Sequence, residues 1–202
     1  MRTVIAVTNV KGGVGKTTSA VYLAGAAIRS GRGPALVVDA DPQASSAEWL
    51  EESPVAGVRL VEAPTARLVA RAMEAGTERL AIVDSPPGDE KTVRAVLERA
   101  DAVVIPTRVG GPEPSRVRAT IEMVAPAVPR GIVICAARTG TRDLEDTIAS
   151  WEDEGEAIWG VVPERVAIAS GAGAPLSIVG LVHYENVLIR ALERPRRRPA
   201  GR

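Results

Sequence analysis

Lys11-Gly12-Gly13-Val14-Gly15-Lys16-Thr17-Thr18 lies between a short apolar run, Thr3–Thr8, and a helical stretch, Lys16–Ser30. A glycine-rich turn joining strand to helix can curl so that its backbone N–H groups converge on one anion. The helix that follows adds its positive amino end. In such a loop Lys16 reaches the β- and γ-phosphates of a nucleotide, and the Thr17 hydroxyl ligates Mg²⁺. The backbone of Gly12, Gly13, Val14, Gly15 and Thr18 completes the cradle. The ordinary pattern has glycine at position 10, where this chain has Val10, and an additional lysine, Lys11, follows it. The chain has only three lysines and two lie in this loop, which argues against a glycine turn with chance lysines.

Outward from the loop, short β-branched runs alternate with longer helical stretches. Strands are expected at Thr3–Thr8, Ala35–Asp39, Val58–Glu62, Leu80–Asp84, Ala102–Pro106, Gly131–Ala136 and Ala157–Val162. Helices are expected at Lys16–Ser30, Ala44–Glu52, Thr65–Ala75, Lys91–Arg99, Pro114–Val124, Arg142–Asp153 and Ile178–Arg194. Asp89 and Thr141 stand where helix N-caps belong, and Gly31 where a C-cap belongs. Several strands are apolar nearly throughout, as strands covered on both faces are. The alternation predicts an α/β fold: one P-loop domain over residues 1–194, with a mostly parallel, twisted sheet of about seven or eight strands and helices on both faces. Residues 195–202 read as a basic, disordered tail.

Composition narrows the function. Of 202 residues, 46% are apolar and 25% charged, so the chain can bury a core. Aromatics are 2% and phenylalanine is absent, which argues against a single-strand binder built on stacked rings. Basic and acidic residues number 25 each, excluding a binder of nucleic acid by bulk charge while leaving room for a local basic patch. Cys135 is the only cysteine, so a disulfide or a cysteine cluster site within one chain is excluded. Met1-Arg2-Thr3 runs straight into the first strand without a signal-peptide h-region, and no run of 18 apolar residues exists; a cytoplasmic protein is expected.

The loop, with its extra lysine, resembles the deviant Walker A motif of the ParA/MinD ATPases, most of all small plasmid-partition ParA proteins of the ParF-like kind. The resemblance implies a homodimer with two ATP molecules at its interface, Lys11 of each subunit reaching the partner's nucleotide. A second cation there neutralises charge on the transferred phosphoryl oxygens. Val37-Val38-Asp39-Ala40-Asp41-Pro42-Gln43 resembles the family's second motif. By that resemblance Asp41 positions or activates the attacking water and Asp39 supports Mg²⁺ through water; the alternative for either is capping of the helix beginning near Ala44. Leu80-Ala81-Ile82-Val83-Asp84 reads as a strand ending in a Walker B carboxylate, with Asp84 beside Thr17 at the metal. The catalytic set is thus Lys11, Lys16 and Asp41, and the metal set Thr17, Asp39 and Asp84. Val161-Val162-Pro163-Glu164-Arg165 resembles the family segment near the adenine, which makes Pro163 and Arg165 candidate nucleotide contacts, with a turn and a surface charge as their alternatives.

Within the family, the resemblance favours a partition ATPase that dimerises with ATP, binds DNA without sequence preference and sits on the nucleoid. A ParB-like or other centromere- or cargo-binding partner would stimulate hydrolysis. From Arg190 to Arg202 there are six arginines and one glutamate, net +5 in a neutral chain. Arg190, Arg194, Arg196, Arg197 and Arg198 are candidate DNA contacts, a solvated tail being the alternative. A MinD-like membrane switch is the second reading: Leu181, Tyr184, Leu188 and Leu192 recur at helical spacing. No bulky aromatic anchor follows and Pro195 ends the helix, so stable membrane association is not expected. A metabolic ATP-dependent enzyme on the same fold is the third.

Overall fold

Five apolar residues suffice for a strand when both faces are covered, and the first strand illustrates this. In the computed structural model, which describes residues 2–110, 114–169, 171 and 174–193, β1 (Thr3–Val7) turns Ile5 and Val7 toward one core and Val4 and Ala6 toward another. Side chains alternate along a strand, so one strand feeds two cores. β2 (Ala35–Asp39) and β4 (Leu80–Asp84) are buried along their whole length and split in the same way. With β3 (Val58–Glu62), β5 (Ala102–Arg108), β6 (Arg130–Ala137) and β7 (Ile158–Pro163) they form one sheet in the order β3-β2-β4-β1-β5-β6-β7. All of its pairings are parallel.

One face is covered by α1 (Lys16–Arg29), α2 (Ser45–Glu52), the short α7 (Val166–Ala169) and α8 (Ile178–Leu192). The other is covered by α3 (Ala66–Glu74), α4 (Glu90–Leu97), α5 (Pro114–Met123) and α6 (Arg142–Asp153). Without phenylalanine, the first core gathers three of the chain's five rings. Tyr22 and Tyr184 stack 5.4 Å apart, and Trp49 meets Tyr22 edge-on at 6.1 Å. Tyr22 approaches α8 closely because Gly180 has no side chain: a Cβ there would lie 2.3 Å from the ring.

The α/β fold and parallel sheet are those expected, with seven strands and eight helices among the described residues. β5 runs two residues past the expected Pro106, and α7, too short for a periodic signal, was not expected. Asp89 caps α4, accepting from the N–H groups of Lys91 and Thr92. Thr141 holds the N-cap position of α6 but makes no side-chain capping bond: its hydroxyl donates 2.8 Å back to the Arg138 carbonyl. At Gly31, with φ +71, the chain leaves α1 in the left-handed conformation, and Arg32 N–H donates to the Ala27 carbonyl. The apolar face of α8 is packed, with Tyr184, Val187, Leu188 and Ala191 buried.

The chain leaves β1 toward β2 on one side of the sheet, and from β4 it returns across β1 to β5 on the other. The carboxyl end of β1 is therefore the switch point where parallel sheets open a crevice.

Candidate functional site

The loop of residues 9–15 rises from that switch point. Asn9, buried, holds its start: its Nδ2 donates to the Pro106 carbonyl and its Oδ1 accepts from Lys11 N–H. Val14 is buried as an apolar plug. Gly13 and Gly15 take φ values of +72 and +101, where a side chain is strained. Gly15 also lies against β6, since a Cβ on it would stand 3.3 Å from Cys135 Sγ. Lys16 opens α1 under the loop, 7% exposed, with its Nζ donating 2.8 Å to the Lys11 carbonyl. Burial lowers the pKa of Lys16, and the charges of Asp84 and Asp41 oppose that shift.

The carboxylates arrive from neighbouring strand ends. Asp39 and Asp84 are register partners in β2 and β4. Asp84 is 1% exposed, and its Oδ2 accepts from Thr17 Oγ1 at 2.8 Å and from Ser46 Oγ at 2.6 Å. Its Oδ1 is buried with no partner among the described residues. Burial pushes the Asp84 carboxyl up to about 7, against the two hydroxyl donors that pull it down. Asp39 Oδ2 accepts from Ala47 N–H at 2.9 Å and Oδ1 from Asp41 N–H. Asp39 thus caps the amino end of α2 from outside the helix, the alternative left open for it. Burial raises its pKa while those N–H groups lower it. Asp41 sits half-buried past the end of β2, accepting from Gln43 N–H.

A cleft of about 410 Å³ joins these groups: Gly12, Gly13, Gly15, Lys16, Thr17 and Thr18 line it together with Asp41, Gln43, Glu48, Trp49, Pro87, Arg108 and Gly171. Lys11 borders instead an adjoining groove toward α5 and α6. Pro163 is buried at the end of β7 and Arg165 is exposed; neither lines the cleft. Gly171, six residues past Arg165, is the part of that connection that reaches it. Trp49 Nε1 donates to the Ala174 carbonyl, tying α2 to this connection. Arg190 is exposed and pairs with Glu193 at 3.5 Å. Arg194, Arg196, Arg197 and Arg198 lie outside the described residues.

Several contributors escaped sequence reasoning, among them Asn9, Ser46, Glu48, Trp49, Arg108 and Gly171. Ser46 alone had a local signal, a hydroxyl four residues beyond Pro42 at the start of a helix.

The polar atoms fit a hard, hydrated divalent cation. The Thr17 hydroxyl and a carboxylate with an unpartnered oxygen stand together, both hard oxygen donors. Among the described residues no cluster of three or more His, Cys, Asp or Glu side chains could hold a metal.

Residues 5–176 match the sequence profile of the CobQ/CobB/MinD/ParA nucleotide binding domain. Over 127 residues the chain is 43% identical to the maintenance of carboxysome distribution protein A of Gloeobacter kilaueensis. That alignment covers 62% of this chain and 56% of the relative, so the chain spans little more than half the relative's length. Its fold is similar to that of a candidate plasmid partition protein of Borrelia burgdorferi B31 bound to AMPPNP, with TM-score 0.75 and 18% identity, over 94% of this chain and 98% of that one. It is also similar to that of Cyanothece McdA in an ATP complex, with TM-score 0.72 and 17% identity, over 93% and 94% of the two chains. At such identities the structural likeness speaks for the fold. The profile spans most of the chain and includes the loop, Asp39, Asp41 and Asp84, and on that ground the chain belongs to the CobQ/CobB/MinD/ParA nucleotide binding domain family.

Proposed function

We propose that this chain is a ParA-type ATPase that positions cargo by cycling between an ATP-bound dimer on DNA and a released form. One observation carries the nucleotide part: Asp84, buried and short of one partner, stands hydrogen-bonded to the threonine that follows the loop lysine. A buried carboxylate short of a partner beside a glycine loop is the environment in which a bound cation would complete it.

In this reading the loop N–H groups and Lys16 hold the β- and γ-phosphates, and Thr17 and Asp84, with Asp39 behind them, hold hydrated Mg²⁺. Bound Mg²⁺ supplies charge neutralisation on the phosphate oxygens. Asp41, on the cleft wall, orients a water for in-line attack on the γ-phosphorus. The bond to the β-phosphate breaks, ADP leaves, and the water's proton passes to phosphate. Lys11 serves the partner subunit's nucleotide across a sandwich dimer. Its position outside its own phosphate cleft supports that role. The name of the 43% identical relative supports the placing of objects within a cell, with plasmid, chromosome or a protein-bound body as cargo. Arg190 and the arginines beyond it supply DNA phosphate contacts, and a nucleoid location in the cytoplasm follows from them.

The membrane-switch reading is weaker because Tyr184 and Leu188 of the residues that suggested it are buried in the core and Leu181 and Leu192 pack against it, although Ile178, Val179, Val182 and Ile189 stand exposed on the same helix. No helix among the described residues is long and apolar enough to cross a membrane.

The test combines light scattering with DNA filter binding, with and without ATP and Mg²⁺. Wild type should become a dimer and retain DNA only with ATP, and retention should fall steeply with salt. Lys16→Ala should lose ATP binding, and Lys11→Ala should bind ATP yet stay monomeric. Removing residues 195–202 should weaken DNA retention while leaving the dimer intact. An ATP-loaded protein that stays monomeric and ignores DNA sinks the proposal in favour of a metabolic enzyme on the same fold.

A further inference from the structure

Two clefts share a wall at the carboxyl end of the sheet. The phosphate cleft opens on the α1 side of the loop, and the adjoining groove, about 420 Å³, runs toward α5 and α6. Arg108, the last residue of β5, borders both. Alternation along β5 sets its direction. Val104 packs in the core beneath α1 and Ile105 in the opposite core, so Arg108 rises on the face of Val104 and α1. Its register partner is Cys135, the residue that lies against Gly15. The guanidinium therefore stems from backbone next to the turn between loop and helix, on the far side of β1 from Asp41.

Three arginines of the strands or their ends are paired, whereas Arg108, like Arg79 and Arg165, has no side-chain partner among the described residues; what sets it apart is that it alone of these lines the phosphate cleft. Arg59 pairs with Glu78, Arg130 with Glu156 and Arg138 with Glu164. Arg108 is exposed and makes no hydrogen bond or ion pair with any described residue. A planar fork of donors left unpaired at the rim of an anion cradle matches two oxygens of a phosphate.

We propose that Arg108 is a phosphate-binding residue of this chain's own nucleotide site, closing on the polyphosphate from the flank opposite Asp41. The inference rests on the nucleotide reading above and adds a third cation to Lys16 and Lys11, one supplied in cis from the β5 end. Its fork grips non-bridging oxygens, so a lysine at the same place keeps the charge and loses the bidentate geometry.

Competition of ATP and of inorganic tripolyphosphate against a fluorescent ATP analogue tests this, since tripolyphosphate carries neither base nor sugar. Arg108→Gln should weaken both competitors by the same factor, about ten- to a hundredfold, the scale of one charge-assisted hydrogen-bonded contact. Arg108→Lys should fall between. Arg99→Gln, which removes one charge at the other end of the sheet, should leave both affinities unchanged, and all three variants should melt like wild type. Unchanged affinities in Arg108→Gln overturn the inference, as does a loss for ATP without a loss for tripolyphosphate. A loss seen only at protein concentrations where the dimer forms also overturns it, because the contact is then to the partner's nucleotide. Lys16→Ala, run alongside, separates the two claims: if it binds ATP like wild type, the nucleotide reading itself fails.

Discussion

The two ends of the sheet hold carboxylates in opposite conditions. At the amino end Glu78 lies between Arg2 and Arg59, and these cations hold it well down, at about 2. Arg2 also donates to the Met73 and Glu78 carbonyls, so the cluster ties the segment leaving α3 to the residue before β1. At the carboxyl end Asp84 has two hydroxyl donors, one bare oxygen and a pKa pushed up to about 7 by burial. The first carboxylate is finished by the fold and contributes to stability. The second is left unfinished and costs stability until a cation arrives. An incomplete buried charge beside a glycine loop is therefore the clearer mark of function.

The contrast is broken most strongly at Asp84. Asp84→Asn should weaken Mg²⁺-dependent ATP binding about 10- to 100-fold. The same change should stabilise the metal-free protein above pH 7. The sign follows from linkage: the folded pKa lies above the unfolded one, so the folded form binds the extra proton, and wild-type stability falls as pH rises from about 4 to about 7. At 1.36 kcal/mol per pH unit the ceiling of that loss is about 4 kcal/mol. Denaturant unfolding at pH 5 and pH 8 in chelator should show the slope in wild type and not in the variant. An equal slope in both would remove Asp84 as its source.

Glu78→Gln should act the other way. Its folded pKa is depressed, so its stabilisation is fully present above about pH 4.5 and is lost as pH falls toward 2. The loss at pH 7 should be about 1 kcal/mol, well below the full shift because Arg59 is partly open to solvent. Unfolding curves of wild type and variant should converge in acid; a gap that persists at pH 2 would point to packing instead of charge.

Ser46→Ala is the finest probe. It removes the 2.6 Å donor to Asp84 and leaves the amino end untouched. It should cost about 1 kcal/mol at pH 8, with the midpoint of the pH-dependent slope moving upward. A midpoint that stays in place would mean that Ser46 does not tune the carboxylate.

The features that were legible early share a property: each is written in a handful of adjacent residues. The loop from Lys11 to Thr18, the run Leu80–Asp84 and the cap at Asp89 depend on local backbone conformation and alternation. Thr141 is the N-cap residue expected, but its hydroxyl has a competing local acceptor, the Arg138 carbonyl, and makes no capping bond. For Asp39 the sequence left metal support and capping of α2 both open, and the structure shows the capping bond to Ala47, which depends on how the strand end meets the helix. Of the connection that follows β7, Gly171 is the described residue that lines the phosphate cleft, which no local pattern marks.

From the sequence alone come the α/β class, the strand and helix spans, the phosphate loop and the three aspartates, because periodicity, glycine conformation and strand ends are short-range matters. Only the tertiary structure decided that Ser46 completes one side of Asp84, that Lys11 and Lys16 border different clefts and that Arg108, without a partner among the described residues, borders both. Those outcomes depend on distances between residues far apart in the chain, which parallel strand order and helix packing set and no local pattern encodes.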